Sequence, residues 1–313
     1  MNRISMNRRT FVSRVAVGLA APAAAIALRD PEPAGAVAIN ITGVVSAGTS
    51  AWIRTGPSQS RTLIQTVPAG TPLALLQTSG DWFKVQTGGI TGWAHSENIT
   101  VNGSPARVLA RGIETRPRVA LTFDAGSDAG YTSQILDTLA RYRIYGSFGL
   151  TGDWANVYPD LVRRIAANRH QMLNHTLNHP SFTGYSTSSS PISPARRIAQ
   201  LVAAEQTLVR IAGVGAGAYW RPPYGDYDDA ALRQSGAVGM SRCTMWTIDS
   251  LGWDGLSAAA IRDRVLSRIS NGAIVLFHVG SASQDGNALD GIIRSLRSSG
   301  YQFGTVRQTV LPS

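Results

Sequence analysis

The run Val119-Ala120-Leu121-Thr122-Phe123-Asp124 decides how this chain is read. A short, almost wholly apolar stretch that ends on a carboxylate has the pattern of a strand buried on both faces, as in parallel sheets. Two more runs of this kind follow, Tyr145 to Leu150 and Ala273 to Phe277. They alternate with stretches of helical pattern at 132–142, 158–168, 198–211, 258–270 and 289–298. That alternation predicts an α/β fold, a parallel sheet or barrel wrapped by helices. Functional groups in such folds collect at the C-terminal ends of strands. Asp124 stands at such an end, and so does His278 after Ile274-Val275-Leu276-Phe277.

Upstream the period changes. Between 41 and 102 the runs are short and β-like (Ala51 to Arg54, Leu63 to Val67, Leu73 to Leu76, Trp82 to Val85), separated by Gly56-Pro57, Pro68-Ala69-Gly70, Ser79-Gly80-Asp81 and Gly88-Gly89. This predicts a small all-β barrel. Ile53-Arg54-Thr55-Gly56-Pro57-Ser58, Asp81-Trp82-Phe83-Lys84-Val85 and Thr91-Gly92-Trp93-Ala94-His95 resemble a bacterial SH3 domain, which implies binding of a wall peptide or polymer. Trp82 and Phe83 serve equally well as barrel core. Residues 103–116 read as a linker and 117–313 as the second domain, so the 313 residues divide in two.

Residues 1–38 carry paired Arg8-Arg9, an uncharged apolar stretch from Val15 to Leu28, and small residues at Ala34-Gly35-Ala36 and Ala36-Val37-Ala38. The order is that of an export signal, it resembles the twin-arginine type, and it is too short to span a bilayer comfortably. The expectation is an exported, extracellular or wall-associated protein with no stable membrane span once the signal is gone. The lone Cys243 has no internal partner and is expected as a buried free thiol. Net charge is +10, and loss of residues 1–38 removes five arginines, one aspartate and one glutamate, leaving +7. Such a surface is drawn to polyanions, but no arginine stripe interleaved with aromatics points to nucleic acid.

Chemistry is concentrated in five short motifs of the second domain: Thr122-Phe123-Asp124, His175-Thr176-Leu177-Asn178-His179, Arg221-Pro222-Pro223-Tyr224, Asp249-Ser250-Leu251-Gly252-Trp253 and Leu276-Phe277-His278. They supply a carboxylate, two imidazoles four residues apart, a guanidinium and a third imidazole, the inventory of metal-assisted acyl hydrolysis. The spacing of His175 and His179 predicts both rings on one side of a helical turn. His170, beside Arg169, reads as the solvated end of a helix.

These motifs resemble the NodB-type polysaccharide deacetylases, carbohydrate esterase family four, over residues 117 to 310. The resemblance implies a distorted (β/α) barrel of parallel strands and a divalent metal, most often Zn2+. It implies Asp124 as general base, Arg221 as its holder, a Tyr224 N–H facing the oxyanion, and His278 as acid. His175 and His179 would hold the metal, Leu276 would line the acetyl pocket and Trp253 would form a groove wall.

Two positions depart from the family pattern. Where a second, metal-binding aspartate is usual stands Ala125, and Asp128 in the following loop is the expected substitute ligand. Where an aspartate usually pairs with the acid stands Gly252, with Asp249 and Asp254 flanking it. The expectation is a metal-dependent deacetylase of N-acetyl groups on peptidoglycan or chitin-like oligosaccharide. Two other readings use the same residues: a non-catalytic wall-binding protein on the same fold, and an O-acetyl esterase.

Overall fold

A computed structural model describes residues 35–311, so the export-signal reading of 1–38 falls almost entirely outside the described residues. The chain forms two compact units. One takes residues 35–105 with 190–202 and 228–239, and the other takes 106–189, 203–227 and 240–311.

The first unit is built on seven strands: β1 (Val37–Val45), β2 (Ser50–Arg54), β3 (Leu63–Pro68), β4 (Pro72–Ser79), β5 (Trp82–Thr87), β6 (Ile90–His95) and β7 (Ile99–Val101). They lie in the order β3-β2-β6-β5-β4-β1-β7, and every pairing is antiparallel. One face of each strand supplies the core (Val45, Ala51, Ile53, Leu75, Phe83, Val85, Ala94). Phe83 is buried there, so the core reading holds for it, while Trp82, on the other side of β5, is buried with its ring edge-on to His95 at 5.2 Å. Trp52, Leu63 and Ile64 remain exposed. Within the same unit Arg196 grips Asp81 through Nε at 2.6 Å and Nη2 at 3.2 Å, a bidentate pair that lowers the Asp81 carboxyl.

The second unit holds β8 (Arg107–Leu109), β9 (Arg118–Ala125), β10 (Ser147–Leu150), β11 (Gln171–Asn174), β12 (Tyr219–Trp220), β13 (Arg242–Thr244), β14 (Ile248–Asp249), β15 (Ile274–His278) and β16 (Gln302–Gly304). These nine form one parallel sheet in the order β14-β15-β9-β10-β11-β12-β13-β8, with β16 also on β9, the half-barrel expected of the fold. Residues 103–116 are not merely a linker. Arg107, Val108 and Leu109 pair with Arg242, Cys243 and Thr244, because a parallel sheet leaves an edge that the entering chain can cover.

The helices are α1 (Thr132–Tyr142), α2 (Gly152–Val157), α3 (Pro159–Ala167), α4 (Pro194–Ala212), α5 (Asp229–Ala237), α6 (Ala258–Arg268), α7 (Asp285–Ser298) and α8 (Val306–Val310). Of these, α5 and the first residues of α4 belong to the first unit. None is long and apolar enough to cross a membrane.

Strand alternation sorts β9 into two faces. Val119, Leu121, Phe123 and Ala125 enter the helix-side core, with Phe123 stacked between Phe148 and Phe277 at 5.1 and 5.5 Å. Ala120 faces the inner cluster of Leu109, Leu173, Tyr219 and Ile274, and Thr122 and Asp124 share that side. Cys243 is a buried free thiol whose pKa burial pushes up to about 12.

His170 departs from its reading as a solvated helix end. It is buried, and its Nδ1 accepts the Gly146 N–H at 3.1 Å. Burial, with Arg164 nearby, lowers its pKa from 6.5 to about 4. The unfolded chain therefore takes up a proton here before the folded one does. The stability is intact above pH 6.5 and lost as pH falls towards 4, on the order of 3 kcal/mol at its full extent. His170→Gln should narrow its stability difference from wild type between pH 7 and pH 4.5 in urea titrations. A difference independent of pH would refute the assignment.

Candidate active site

The site is assembled where the parallel strands end. In the register of β15 on β9, His278 lies opposite Asp124. Beside them β10 carries Gly149, and a Cβ there would come within 2.3 Å of Asp124 Oδ1, so glycine makes room for the carboxylate. Asp124 is buried, as are Arg221 and His175.

Arg221 organises the centre. Its Nη1 donates to Asp124 Oδ1 at 2.7 Å, Nη2 to Thr122 Oγ1 at 2.9 Å and Nε to the Thr244 carbonyl at 3.1 Å, while the guanidinium lies 5.7 Å from the Trp246 ring centre. Burial alone would raise the Asp124 carboxyl. The charge of Arg221 and its hydrogen bond outweigh it and hold the pKa below the ordinary value. Asp124 is thus a carboxylate at neutral pH, with Oδ2 turned to His175 Nε2 at 3.5 Å.

The two histidines meet by a different route from the one their spacing suggests. β11 ends at Asn174, and the next residues form a loop in which Thr176 (φ 69°) and His179 (φ 62°) are left-handed. Asn174 Oδ1 accepts the Thr176 N–H and Thr176 Oγ1 accepts the His179 N–H. This fold-back, not a helical turn, sets the rings edge to face at 4.7 Å. His175 Nδ1 lies 2.9 Å from the Arg221 carbonyl, so that nitrogen carries the proton and Nε2 faces the site. Burial lowers both imidazoles, His179 to about 3, leaving them neutral nitrogen donors.

Tyr224, in the short turn after Pro222-Pro223, is also left-handed (φ 58°) and half exposed, with its ring 4.7 Å from that of His179. Leu251 (φ 57°) precedes Gly252. Of the seven non-glycine residues with positive φ among those described, four lie in these motif loops, the clustering expected where function overrides backbone preference. Trp253 is exposed, and its Nε1 donates to Asp249 Oδ1 at 3.2 Å. Leu276 is buried between Thr122 of β9 and Asp249 of β14.

The expected metal set does not assemble. A catalytic zinc takes three protein ligands. Here the neutral imidazoles of His175 and His179 supply two, and Ala125 contributes only a methyl group to the helix-side core. Asp128 is no substitute: its carboxylate accepts the Ser281 N–H at 2.8 Å and the Ser281 hydroxyl, while its own carbonyl accepts Trp154 Nε1–H at 2.9 Å. Among the described residues no group of three His, Cys, Asp or Glu side chains is placed to hold a metal ion. Asp128→Ala should therefore leave zinc affinity, measured by calorimetric titration, within about twofold of wild type. Loss of a true ligand would exceed the roughly 10-fold that even outer-shell partners command.

A carboxylate–guanidinium pair, two neutral imidazoles and a third imidazole across the strand ends, on a parallel half-barrel, define a hydrolase-like centre. Residues 111–242 match the Polysaccharide deacetylase family, and residues 43–100 match the Bacterial SH3 domain. A peptidoglycan-N-acetylglucosamine deacetylase of Bacillus cereus is 32% identical over 194 residues, covering 61% of this chain and 67% of that protein. A chitooligosaccharide deacetylase of Sinorhizobium fredii is 31% identical over 176 residues, covering 56% and 77%. The chain belongs to the polysaccharide deacetylase family. Its fold also matches, at a TM-score of 0.60 and 25% identity over 66% of this chain and 69% of the other, the crystal structure of a CE4 family pseudoenzyme from Bacillus anthracis.

Sequence reading missed Thr122, Thr244 and Trp246 as the setting of Arg221, because two of those contacts go through a carbonyl and a ring face. It also missed Asp285. The flanking carboxylates expected to compensate for Gly252 are placed otherwise: Asp249 accepts the Leu251 N–H and the Trp253 indole N–H, and Asp254 is exposed.

Proposed function

We propose that this protein removes N-acetyl groups from cell-wall glycan, peptidoglycan or a chitin-like oligosaccharide, with Asp124 as base and His278 as acid. The observation that carries the reading is the buried Arg221–Asp124 pair set in register with His278 at the strand ends. Water attacks the acetyl carbon and its proton passes to Asp124 Oδ2, since Oδ1 is held by Arg221. The oxyanion gathers at the Tyr224 N–H, a single donor of this kind contributing roughly 3 kcal/mol. His278 then protonates the nitrogen as the C–N bond breaks, releasing acetate and the amine. An amine leaves poorly unprotonated, so the acid matters more here than it would for an ester.

Trp253, exposed on the same loop system, supports a role as a groove wall for a sugar ring. The SH3-like unit, with exposed Trp52, supports attachment to wall peptide or polymer. Export follows from the reading of residues 1–38. Because β1 begins at Val37, cleavage after Ala36 leaves that strand whole, and N-terminal sequencing of secreted protein would test the cut.

One observation favours the non-catalytic reading: Ala125 leaves two imidazoles where a metal centre takes three ligands. Acetate release from insoluble peptidoglycan and from chitooligosaccharides, before and after chelation and with zinc restored, separates the two. Turnover is the expected result. Wall binding without acetate under any of these conditions would replace the enzyme by a binding protein.

A further inference from the structure

Gly252 is glycine for a reason the structure makes explicit. A Cβ added there would lie 2.6 Å from Asp285 Oδ1, 2.7 Å from Asp285 Cγ and 2.3 Å from Ser283 Oγ. The space beside the motif-four loop is thus already filled by a carboxylate that enters from the first turn of α7. Asp285 is almost wholly buried. Its Oδ2 accepts the His278 backbone N–H at 2.7 Å and lies 4.0 Å from His278 Nδ1. That Nδ1 is itself buried and has no hydrogen-bond partner among the described residues, so the Asp285 carboxylate is the charged group nearest to hand for it.

We propose that Asp285 is the positioning residue of the acid: it orients the His278 ring through Nδ1, stabilises the imidazolium, and leaves Nε2 to face the substrate. The proposal rests on the reading of His278 as the acid of a deacetylase. A buried carboxylate next to an imidazole that must cycle through a cation lowers the cost of the charged form, and it fixes which nitrogen carries the transferable proton.

The groups acting on His278 are consistent with that role. Asp124, opposite it on β9, is also anionic. His175 and His179, the other titratable groups coupled to it, are held neutral by burial. Burial raises the Asp285 carboxyl, opposed by the His278 N–H, by the Ser283 and Ser250 hydroxyls and by the charge of His278.

A helix-capping role alone would also place an aspartate in a first turn, so the test must read more than stability. The full chain is assayed as Asp285→Asn, Asp285→Ala and Asp285→Ala/Gly252→Asp on an N-acetylated chitooligosaccharide, with the His278 ring titrated by NMR in each. Asp285→Asn should lower kcat by at least about 100-fold with KM nearly unchanged, the low end of what a general acid contributes. It should also displace the His278 ring signals across the NMR titration, because an amide replaces the carboxylate beside Nδ1. Gly252→Asp should abolish activity in the wild-type background, where the space is taken. In Asp285→Ala it should restore part of the activity, since the carboxylate returns from the other side of the same gap.

Wild-type kcat and an unmoved His278 titration in Asp285→Asn would overturn the proposal. If the wild type releases no acetate, the functional reading fails, and the His278 titration alone still decides whether Asp285 is the partner of the ring.

Discussion

Asp124→Asn is expected to reduce acetate release by about 100- to 10,000-fold, the range over which a positioned general base acts. The substitution keeps the volume of the side chain and an oxygen for Arg221 Nη1, so the effect reads proton transfer and not collapse of the site. Asp124 has the lowered pKa of a paired carboxylate, and the cause is chiefly the Arg221 charge winning over burial. Its ionised fraction is therefore complete above the ordinary aspartate range, and the acid limb of the kcat/KM profile should come from elsewhere. A variant that retains more than a tenth of wild-type kcat, with substrate binding unchanged, would remove Asp124 from the base role.

Arg221→Ala should destabilise the second unit by about 3–5 kcal/mol, the cost of leaving one member of a buried ion pair without the other. The side chain is fully buried, and it bonds Asp124, Thr122 and the Thr244 carbonyl at once. Asp124→Ala should cost a similar amount, and the double variant less than the sum, because neither orphan then remains. Urea unfolding followed by far-UV circular dichroism measures this. Strict additivity of the two would show that the pair is not a coupled unit.

The sheet was legible in the sequence because burial on both faces leaves few polar residues in β9, β10 and β15, while the helical stretches carry their own period. The all-β unit was legible from turn residues at close intervals. What the strand pattern could not supply was the placement of residues 107–109, whose three-residue strand is too short for any period to be read. His175 and His179 were identified as a pair, but the geometry that joins them is a left-handed loop, and two side-chain caps in Asn174 and Thr176 carry no signal beyond ordinary turn chemistry. Asp128 has the spacing of a ligand, yet a neighbouring serine in a distant loop claims it. Asp285, in Ser283-Gln284-Asp285 at a helix start, looks like any capping aspartate until the Cβ that Gly252 lacks shows what the space is for.

Arg221 joins groups far apart along the chain: Thr122 and Asp124 lie 99 and 97 residues before it, and the Thr244 carbonyl 23 after it. The Asp124 carboxylate acquires its lowered pKa only when the first, middle and later strands of the sheet have all closed on one guanidinium. Local helices and hairpins form far sooner than contacts of that separation. A nascent or partly folded chain therefore holds Asp124 as an ordinary solvent-exposed carboxylate. The buried Arg221–Asp124 pair is complete only when the native topology is.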